Sequence, residues 1–252
     1  MSFNVVIPAR YASVRLPGKP LLDICGKPML QHTYERALES NADKVIIATD
    51  DVRIQKVAQG FGALVCMTKG THVSGTDRVH EVSVQLQMDA SDLVVNVQAD
   101  EPLIPPSVIN QVAKNLQQDS EAGIATLCEA ITDKEEINDS NSVKVVFDAQ
   151  GRALYFSRAT IPWQGSASAK NYYRHIGIYA YRVTVLNQFV EWQVCELEEI
   201  EKLEQLRALH YGVAINVAVS SESIPPGVDT ERDLELVRAH ISAKKALVSR
   251  TS

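Results

Sequence analysis

The sequence predicts an α/β protein built on a mixed central sheet. Three observations carry this. Short β-branched apolar runs recur through the first half of the chain, separated by amphipathic stretches of helix length, which is the pattern of successive βαβ units. In the second half strand-like runs follow one another without regular helices, which adds an antiparallel extension. Finally, 252 residues at 45% hydrophobic and 22% charged are enough for a sizeable core, far from disordered or collagen-like composition.

Taken in order, Phe3 to Pro8 (FNVVIP) reads as a buried strand near the middle of a parallel sheet. Lys44–Ala48, Leu64–Met67 and Leu93–Val97 repeat the type. Between them a first helix opens at Pro28, a residue suited to a first turn, with Leu30, Tyr34, Ala37 and Leu38 on one face. A second runs from about Asp51 to Phe61, a third follows Gly75-Thr76, and a fourth starts near Pro105-Pro106, where proline can enter a helix but not continue one. Further on, Ile124–Ala130, Val143–Asp148, Ala153–Ser157, His175–Tyr181 and Val213–Val219 read as strands, with a hairpin turn at Asp148-Ala149-Gln150-Gly151. Gln164 to Asn171 is small and polar, an expected exposed loop. One long helix is expected from Glu196 to Tyr211, stopped by Gly212, and a last one after the capping-box pair Thr230 and Asp233. Without repeats, low-complexity tracts or a linker, residues 1–252 are expected to form one domain.

Charge and cysteine usage exclude several classes. A net charge of −6 offers no global basic footprint, so no nucleic-acid partner is expected. No apolar run reaches membrane-spanning length and no signal peptide is evident, which makes the cytoplasm the expected compartment. The four cysteines are widely spaced with no C-x-x-C, so they are expected to be reduced and mostly buried, without a zinc site.

The chemistry gathers after the strands. Immediately beyond the first comes Ala9-Arg10-Tyr11-Ala12-Ser13-Val14-Arg15-Leu16-Pro17-Gly18-Lys19-Pro20, at the edge where open α/β sheets bind ligands. A basic loop is usually just solvated, but in this position Arg10, Arg15 and Lys19 make a polyphosphate cradle. It is neither a P-loop nor a dinucleotide fingerprint, because Gly18-Lys19 and Gly26-Lys27 are each followed by proline and no G-x-G-x-x-G follows the strand. The fourth strand runs into Val97-Gln98-Ala99-Asp100-Glu101-Pro102, and carboxylates there commonly hold magnesium against a phosphate. Asp229, in Pro225-Pro226-Gly227-Val228-Asp229-Thr230, is a second candidate, although an Asp before a helix is ordinarily a cap and the sequence does not place it near Asp100.

Seven ordered segments, A-R-Y-A-S-x-R-L-P-G-K-P, S-G-T-D-R (Ser74–Arg78), V-x-V-Q-x-D-E-P (Val95–Pro102), Y-F-S-R-A-x-I-P-W (Tyr155–Trp163), R-H-x-G-I-Y (Arg174–Tyr179), L-E-Q-L-R (Leu203–Arg207) and G-V-D-T (Gly227–Thr230), resemble the 3-deoxy-manno-octulosonate (Kdo) cytidylyltransferase family. The resemblance spans nearly the whole chain. It implies a Rossmann-like, glycosyltransferase-A-like nucleotidyltransferase fold, with residues 1–130 mainly nucleotide-binding and 131–252 carrying sugar-binding elements and a small antiparallel dimerisation subdomain. It also implies a homodimer, Mg2+, and the substrates CTP and Kdo, giving CMP-Kdo and pyrophosphate for lipopolysaccharide synthesis.

Carried over by position, Arg10, Ser13, Arg15, Lys19, Ser74 and Arg78 would meet the nucleotide, Asp100 and Asp229 the metal, and Lys19 would act with both in catalysis. Gln98, Arg158, His175, Tyr179, Glu204 and Gln205 would surround the sugar acid. Arginine can clamp a carboxylate bidentately, and the others are the mixed donors and acceptors that hydroxyls need. On the expected long helix Glu201, Glu204, Gln205 and Ala208 would share a stripe, which without the resemblance reads as solvent-facing, and His175 as a core histidine. Position 99 is alanine where the family is expected to carry glycine; a left-handed backbone there would strain it. Two alternatives remain at this point: a cytidylyltransferase for a related sugar acid (amino-substituted Kdo or sialic acid), and a catalytically silent nucleotide-binding regulator.

Overall fold

The computed structural model describes residues 2–12, 16–163 and 172–251, with side chains to residue 244. In chain order the elements are β1 (Asn4–Ala9), the two-residue strands β2 (Asp23–Ile24) and β3 (Lys27–Pro28), α1 (Met29–Leu38), β4 (Lys44–Thr49), α2 (Val52–Gly60), β5 (Leu64–Met67), α3 (Gly75–Gln85), β6 (Leu93–Asn96), α4 (Pro106–Gln118) and β7 (Ile124–Ala130). The second half continues with α5 (Lys134–Asn138), β8 (Lys144–Phe147), β9 (Ala153–Ser157), β10 (Tyr173–Arg182), α6 (Val183–Phe189), α7 (Glu196–Glu201), α8 (Gln205–His210), β11 (Ile215–Val219) and α9 (Glu231–Thr251).

One nine-stranded sheet runs in the order β11-β7-β10-β6-β1-β4-β5, with the β8/β9 hairpin attached to β10. As expected, β1 is central, parallel to both β4 and β6. β10 is antiparallel to β6 and β7 and gives the sheet its mixed character. The strands are apolar on both sides because both faces are covered: Val5 and Ile7 pack under α1, α2 and α4, while Val6, Ile46 and Val94 pack under α3, α6 and α8. Val228, Leu234 and Val237 form a third cluster with Ile24 and Met29 that seats α9.

The caps explain where helices begin. Asp51 accepts from the backbone of Arg53 and Ile54 to open α2, and Ser74 and Asp77 form a reciprocal capping box on α3. The Thr230 and Asp233 pair closes the same kind of box on α9, with Thr230 N–H donating to Asp233 Oδ2 at 2.8 Å and Asp233 N–H to Thr230 Oγ1 at 3.3 Å.

Three expectations need correction. Leu38 is 54% exposed, because α1 ends there and the chain turns away from the core. The single helix over Glu196–Tyr211 is two short ones: Lys202 adopts a left-handed conformation (φ 55°) that caps α7, Leu203 turns inward, and α8 starts afresh at Glu204. The stripe of Glu201, Glu204, Gln205 and Ala208 therefore does not exist as one helix face. Ala99 is not among the described residues with positive φ, so alanine there brings no backbone strain. The hairpin turn at Asp148–Gly151 is present, with Gly151 at φ 77° and its N–H on Asp148 O at 3.1 Å. Among the described residues the cysteines form no disulfide, with Cys66, Cys128 and Cys195 buried and Cys25 partly so. The expected loop at 164–171 lies outside the described residues.

Candidate active site

The carboxyl ends of β1, β4 and β6 open on one edge, and the order reverses between β1 and β6, so a ligand crevice is expected there. A cleft of 320 Å³ occupies it, lined by Arg10, Lys19, Ser74, Gly75, Gln98 and Asp100 among others. Lys19 is aimed by its turn: Gly18 takes φ 68°, a left-handed conformation that glycine adopts at little cost, and its N–H donates to Tyr11 O at 3.1 Å. A short 3-10 turn then presents the ammonium inward.

Lys19 Nζ donates to Asp100 Oδ2 at 2.5 Å, to the Val228 carbonyl at 2.7 Å and to Asp229 Oδ1 at 3.0 Å. The two aspartates, remote in sequence, thus converge on one nitrogen. Val228 N–H on Asp100 O at 2.9 Å zips the 225–229 loop to the end of the β6 segment. Burial pulls the Lys19 ammonium down, but the Asp100 and Asp229 carboxylates outweigh it and hold its pKa above the ordinary value. Beside them the Glu101 carboxyl is pushed up to about 8 by burial and by the charges of Asp100 and Asp229.

On the opposite wall Arg10 Nη1 donates to Val73 O at 3.0 Å, while its buried Nη2 has no partner among the described residues. Burial, together with the repulsion of Arg78, lowers its pKa. Ser74 stands at the first turn of α3, whose positive end faces the cleft. Arg78 is placed differently from expectation: it is 1% exposed, with Nη1 on Thr68 Oγ1 and 3.3 Å from Asp50, so it lies behind the cleft and not on its lining. Ser13 and Arg15 lie outside the described residues.

Next to the cleft, under α3 and α8, sits a chamber of buried and half-buried polar groups. Thr76 Oγ1 donates to Glu204 Oε2 at 2.7 Å, and burial raises the Glu204 pKa. Glu204 Oε1 and Gln205 Nε2 are buried without partners among the described residues. Tyr179 pairs with Asn96 across β10 and β6, and its ring faces His175 and Tyr181. Burial lifts the Tyr179 hydroxyl well above its ordinary range and holds His175 down at about 3, so both are neutral at pH 7.

The His175 tautomer follows from Thr126, whose hydroxyl has one proton and faces the carbonyls of Ile178 (2.7 Å) and Ile176 (3.1 Å) at the register shift in β10. His175 Nε2, 2.9 Å from the same oxygen, must donate, which leaves Nδ1 as an acceptor.

Arg158 is not brought to this chamber as a two-pronged clamp. Its Nε donates to Glu201 O at 2.8 Å and its Nη1 to Ser140 O at 3.0 Å, which among the described residues leaves Nη2 for a ligand. A larger cavity of 610 Å³ lies between α1, the 102–105 turn and α9. Its His32 is already spent on Ile24 O and its Arg36 on Ile104 O and Glu39, so the chemistry belongs to the smaller cleft.

A family model described as Cytidylyltransferase matches residues 4–217. The chain belongs to the cytidylyltransferase family. A 3-deoxy-manno-octulosonate cytidylyltransferase from Cellvibrio japonicus is 59% identical over 95% of this chain and 98% of its own length. One of the same name from Marinobacter nauticus is 57% identical over 95% and 97%. A solved structure of CMP:2-keto-3-deoxy-manno-octonic acid synthetase complexed with CTP is 43% identical over 96% of this chain and 99% of that one, with a TM-score of 0.91. A 4-diphosphocytidyl-2C-methyl-D-erythritol synthase, 14% identical with a TM-score of 0.64, shares the fold alone.

Two features of this cytidylyltransferase site escaped sequence reasoning. Thr76 and Tyr181 hold the Glu204 side of the chamber, and nothing local marks them. Asn96 did leave a signal: it is a polar residue ending the otherwise apolar run Leu93-Val94-Val95, and at 2% exposure it is buried.

Proposed function

We propose that this chain transfers the cytidylyl group of CTP to Kdo, giving CMP-Kdo and pyrophosphate for lipopolysaccharide synthesis. The observation that carries the reading is the joining of two unlike sites. A charged mouth, where Lys19, Asp100 and Asp229 meet, suits a triphosphate with its metal, and a chamber of polar side chains with unmatched buried atoms beside it suits a hydroxylated acid.

The donor set fits magnesium. Two carboxylates already face one cation-sized position, held here by an ammonium, and Mg2+ prefers one or two carboxylates completed by phosphate and water. No group of three or more His, Cys, Asp or Glu able to hold a metal is present among the described residues, in keeping with a metal that arrives with the nucleotide. A divalent cation held by Asp100 and Asp229 would neutralise triphosphate charge and lower the pKa of the attacking hydroxyl.

The rest is done by the chain. Arg10 and Lys19, with Ser13 and Arg15 of the same loop, bind the phosphates, and Ser74 presents the α3 terminus to them. Arg78, held on Thr68 and beside Asp50 behind the wall that carries Arg10, adds positive charge toward the phosphates. Gln98, His175, Tyr179, Glu204 and Gln205 orient the sugar acid, and Arg158 Nη2 offers one hydrogen bond to its carboxylate. The anomeric hydroxyl attacks the α-phosphorus in line, pyrophosphate leaves toward Lys19, and no covalent intermediate with the protein forms.

The same reading makes the enzyme a cytoplasmic homodimer of single-domain subunits. Exposed Leu154, Trp163, Val194, Leu197 and Ile200 in the second half are the apolar surface a second copy would cover. No helix among the described residues is long and apolar enough to cross a membrane.

The test is pyrophosphate release by the purified chain with Mg2+ over a matrix of nucleoside triphosphates and 2-keto sugar acids. CTP with Kdo is expected to dominate. Silence toward every pair, or preference for sialic acid, overturns the assignment.

A further inference from the structure

Asn96 is a buried amide on the wall between the mouth and the chamber. At 2% exposure it ends β6, two residues before Gln98 and on the same side of the chain by strand alternation. Tyr179 stands directly opposite it on β10, and Val6 on β1. Its Nδ2 lies 3.9 Å from the position a Cβ on Gly75 would take, so the amide sits under the first turn of α3 where the cleft lining begins. Its Oδ1 is buried and has no hydrogen-bond partner among the described residues.

A buried amide oxygen left unmatched costs free energy, and an apolar residue of the same size would avoid that cost. Glu204 and His175 each have a partner for one atom, Thr76 and Thr126, while Asn96 Oδ1 stands with Glu204 Oε1 and Gln205 Nε2 as a buried polar atom without one among the described residues.

We propose that Asn96 is a specificity residue for the acceptor, its amide exchanging hydrogen bonds with a hydroxyl of the bound sugar acid one position deeper than Gln98. An amide is suited to this because it offers a donor and an acceptor side by side, and a rotation of the side chain presents either to a hydroxyl that does the same. The inference rests on the acceptor being a polyhydroxylated acid, as proposed above.

The experiment compares wild type with Asn96→Leu and Asn96→Ser in steady-state kinetics, thermal melting, and a set of acceptors each lacking one hydroxyl. Wild-type turnover of Kdo is read first; its absence removes the reading under Proposed function and this inference with it. With turnover present, Asn96→Leu should raise KM for the acceptor about tenfold or more, leave KM for CTP within about twofold, and melt no lower than wild type. One deoxy acceptor should be penalised by the wild type and not by the variants. If Asn96→Leu folds poorly, Asn96→Ser carries the same comparison. Unchanged acceptor KM, an equal rise in KM for CTP, or deoxy penalties identical in all three proteins would each overturn the proposal while leaving the cytidylyl transfer intact.

Discussion

The mouth and the chamber lie side by side yet are built on opposite principles. At the mouth charges meet charges: Lys19 touches Asp100, Asp229 and the Val228 carbonyl, and all three come from loops beyond the ends of secondary structure. In the chamber the groups sit on β6, β10 and the start of α8, His175 and Tyr179 are neutral, burial raises the Glu204 pKa, and Asn96 Oδ1, Glu204 Oε1 and Gln205 Nε2 are unmatched among the described residues. The difference teaches how each half can work. Ion pairs on loops can be exchanged for a metal and phosphates at small structural cost, whereas rigidly held, unsatisfied neutral groups reward a ligand that supplies the missing hydrogen bonds.

The largest break in this comparison should come from the carboxylates. Asp100→Asn or Asp229→Asn removes an anion without much change of volume, and turnover should fall by about 10³-fold or more while the melting temperature holds. Near-normal magnesium-dependent turnover in both variants would sink the shared site. Lys19→Ala should cost about 10²-fold, in rate as well as in CTP affinity, since charge developing on pyrophosphate meets this cation more strongly in the transition state than before it. Kinetics in which neither parameter moves would take Lys19 out of the mechanism.

On the chamber side Glu204→Ala should raise KM for the acceptor by about 10- to 100-fold and leave CTP binding near normal. Isothermal titration with CTP alone provides the check, and a parallel loss of CTP affinity would erase the division between the two regions.

That division also sets what was legible in the sequence. The parallel half could be read element by element, because each βαβ unit carries its own periodicity and punctuation, such as Asp51 before α2 and Pro105-Pro106 before α4. The mouth residues were legible as types, since Lys19 and Asp100 follow strands directly. What could not be read was the meeting of Asp100 with Asp229, which depends on the Val228–Asp100 backbone bond. The chamber was harder still. Lys202 in a left-handed conformation breaks the expected helix at the point where Glu204 must turn inward, and local spacing favours an unbroken run there.

A smaller effect tests how finely the mouth is set. A Cβ on Gly227 would lie 2.9 Å from Glu101 Oε1 and 3.3 Å from Asp100 O, so glycine is what lets the 225–229 loop close on the β6 end. Gly227→Ala should hold Asp229 away from Asp100 and raise the Mg2+ concentration for half-maximal rate by about tenfold, with a smaller change in KM for CTP. A magnesium titration that superimposes on wild type would show that the loop tolerates the methyl group.

The smallest effect is on stability and belongs to the chamber. His175 is half-buried and neutral, its pKa held by desolvation at about 3, against about 6.5 in an unfolded chain. Between those values the unfolded state binds the proton more readily, so the contribution of His175 is fully present above pH 6.5 and is lost as pH falls toward 3. By pH 5 the loss relative to pH 7 is at most about 2 kcal/mol. His80, also lowered by burial, acts with the same sign, while Glu101, raised to about 8, acts in the opposite direction because the folded state holds its proton above pH 4.5. Subtracting the His175→Gln variant cancels both. Urea unfolding of the two proteins between pH 7 and pH 5 should therefore bring their stabilities closer together as pH falls, since only wild type must protonate a histidine on unfolding. Parallel curves across that window would mean that His175 is solvated in the folded protein, and the chamber would lose its claim to be a dry, neutral site.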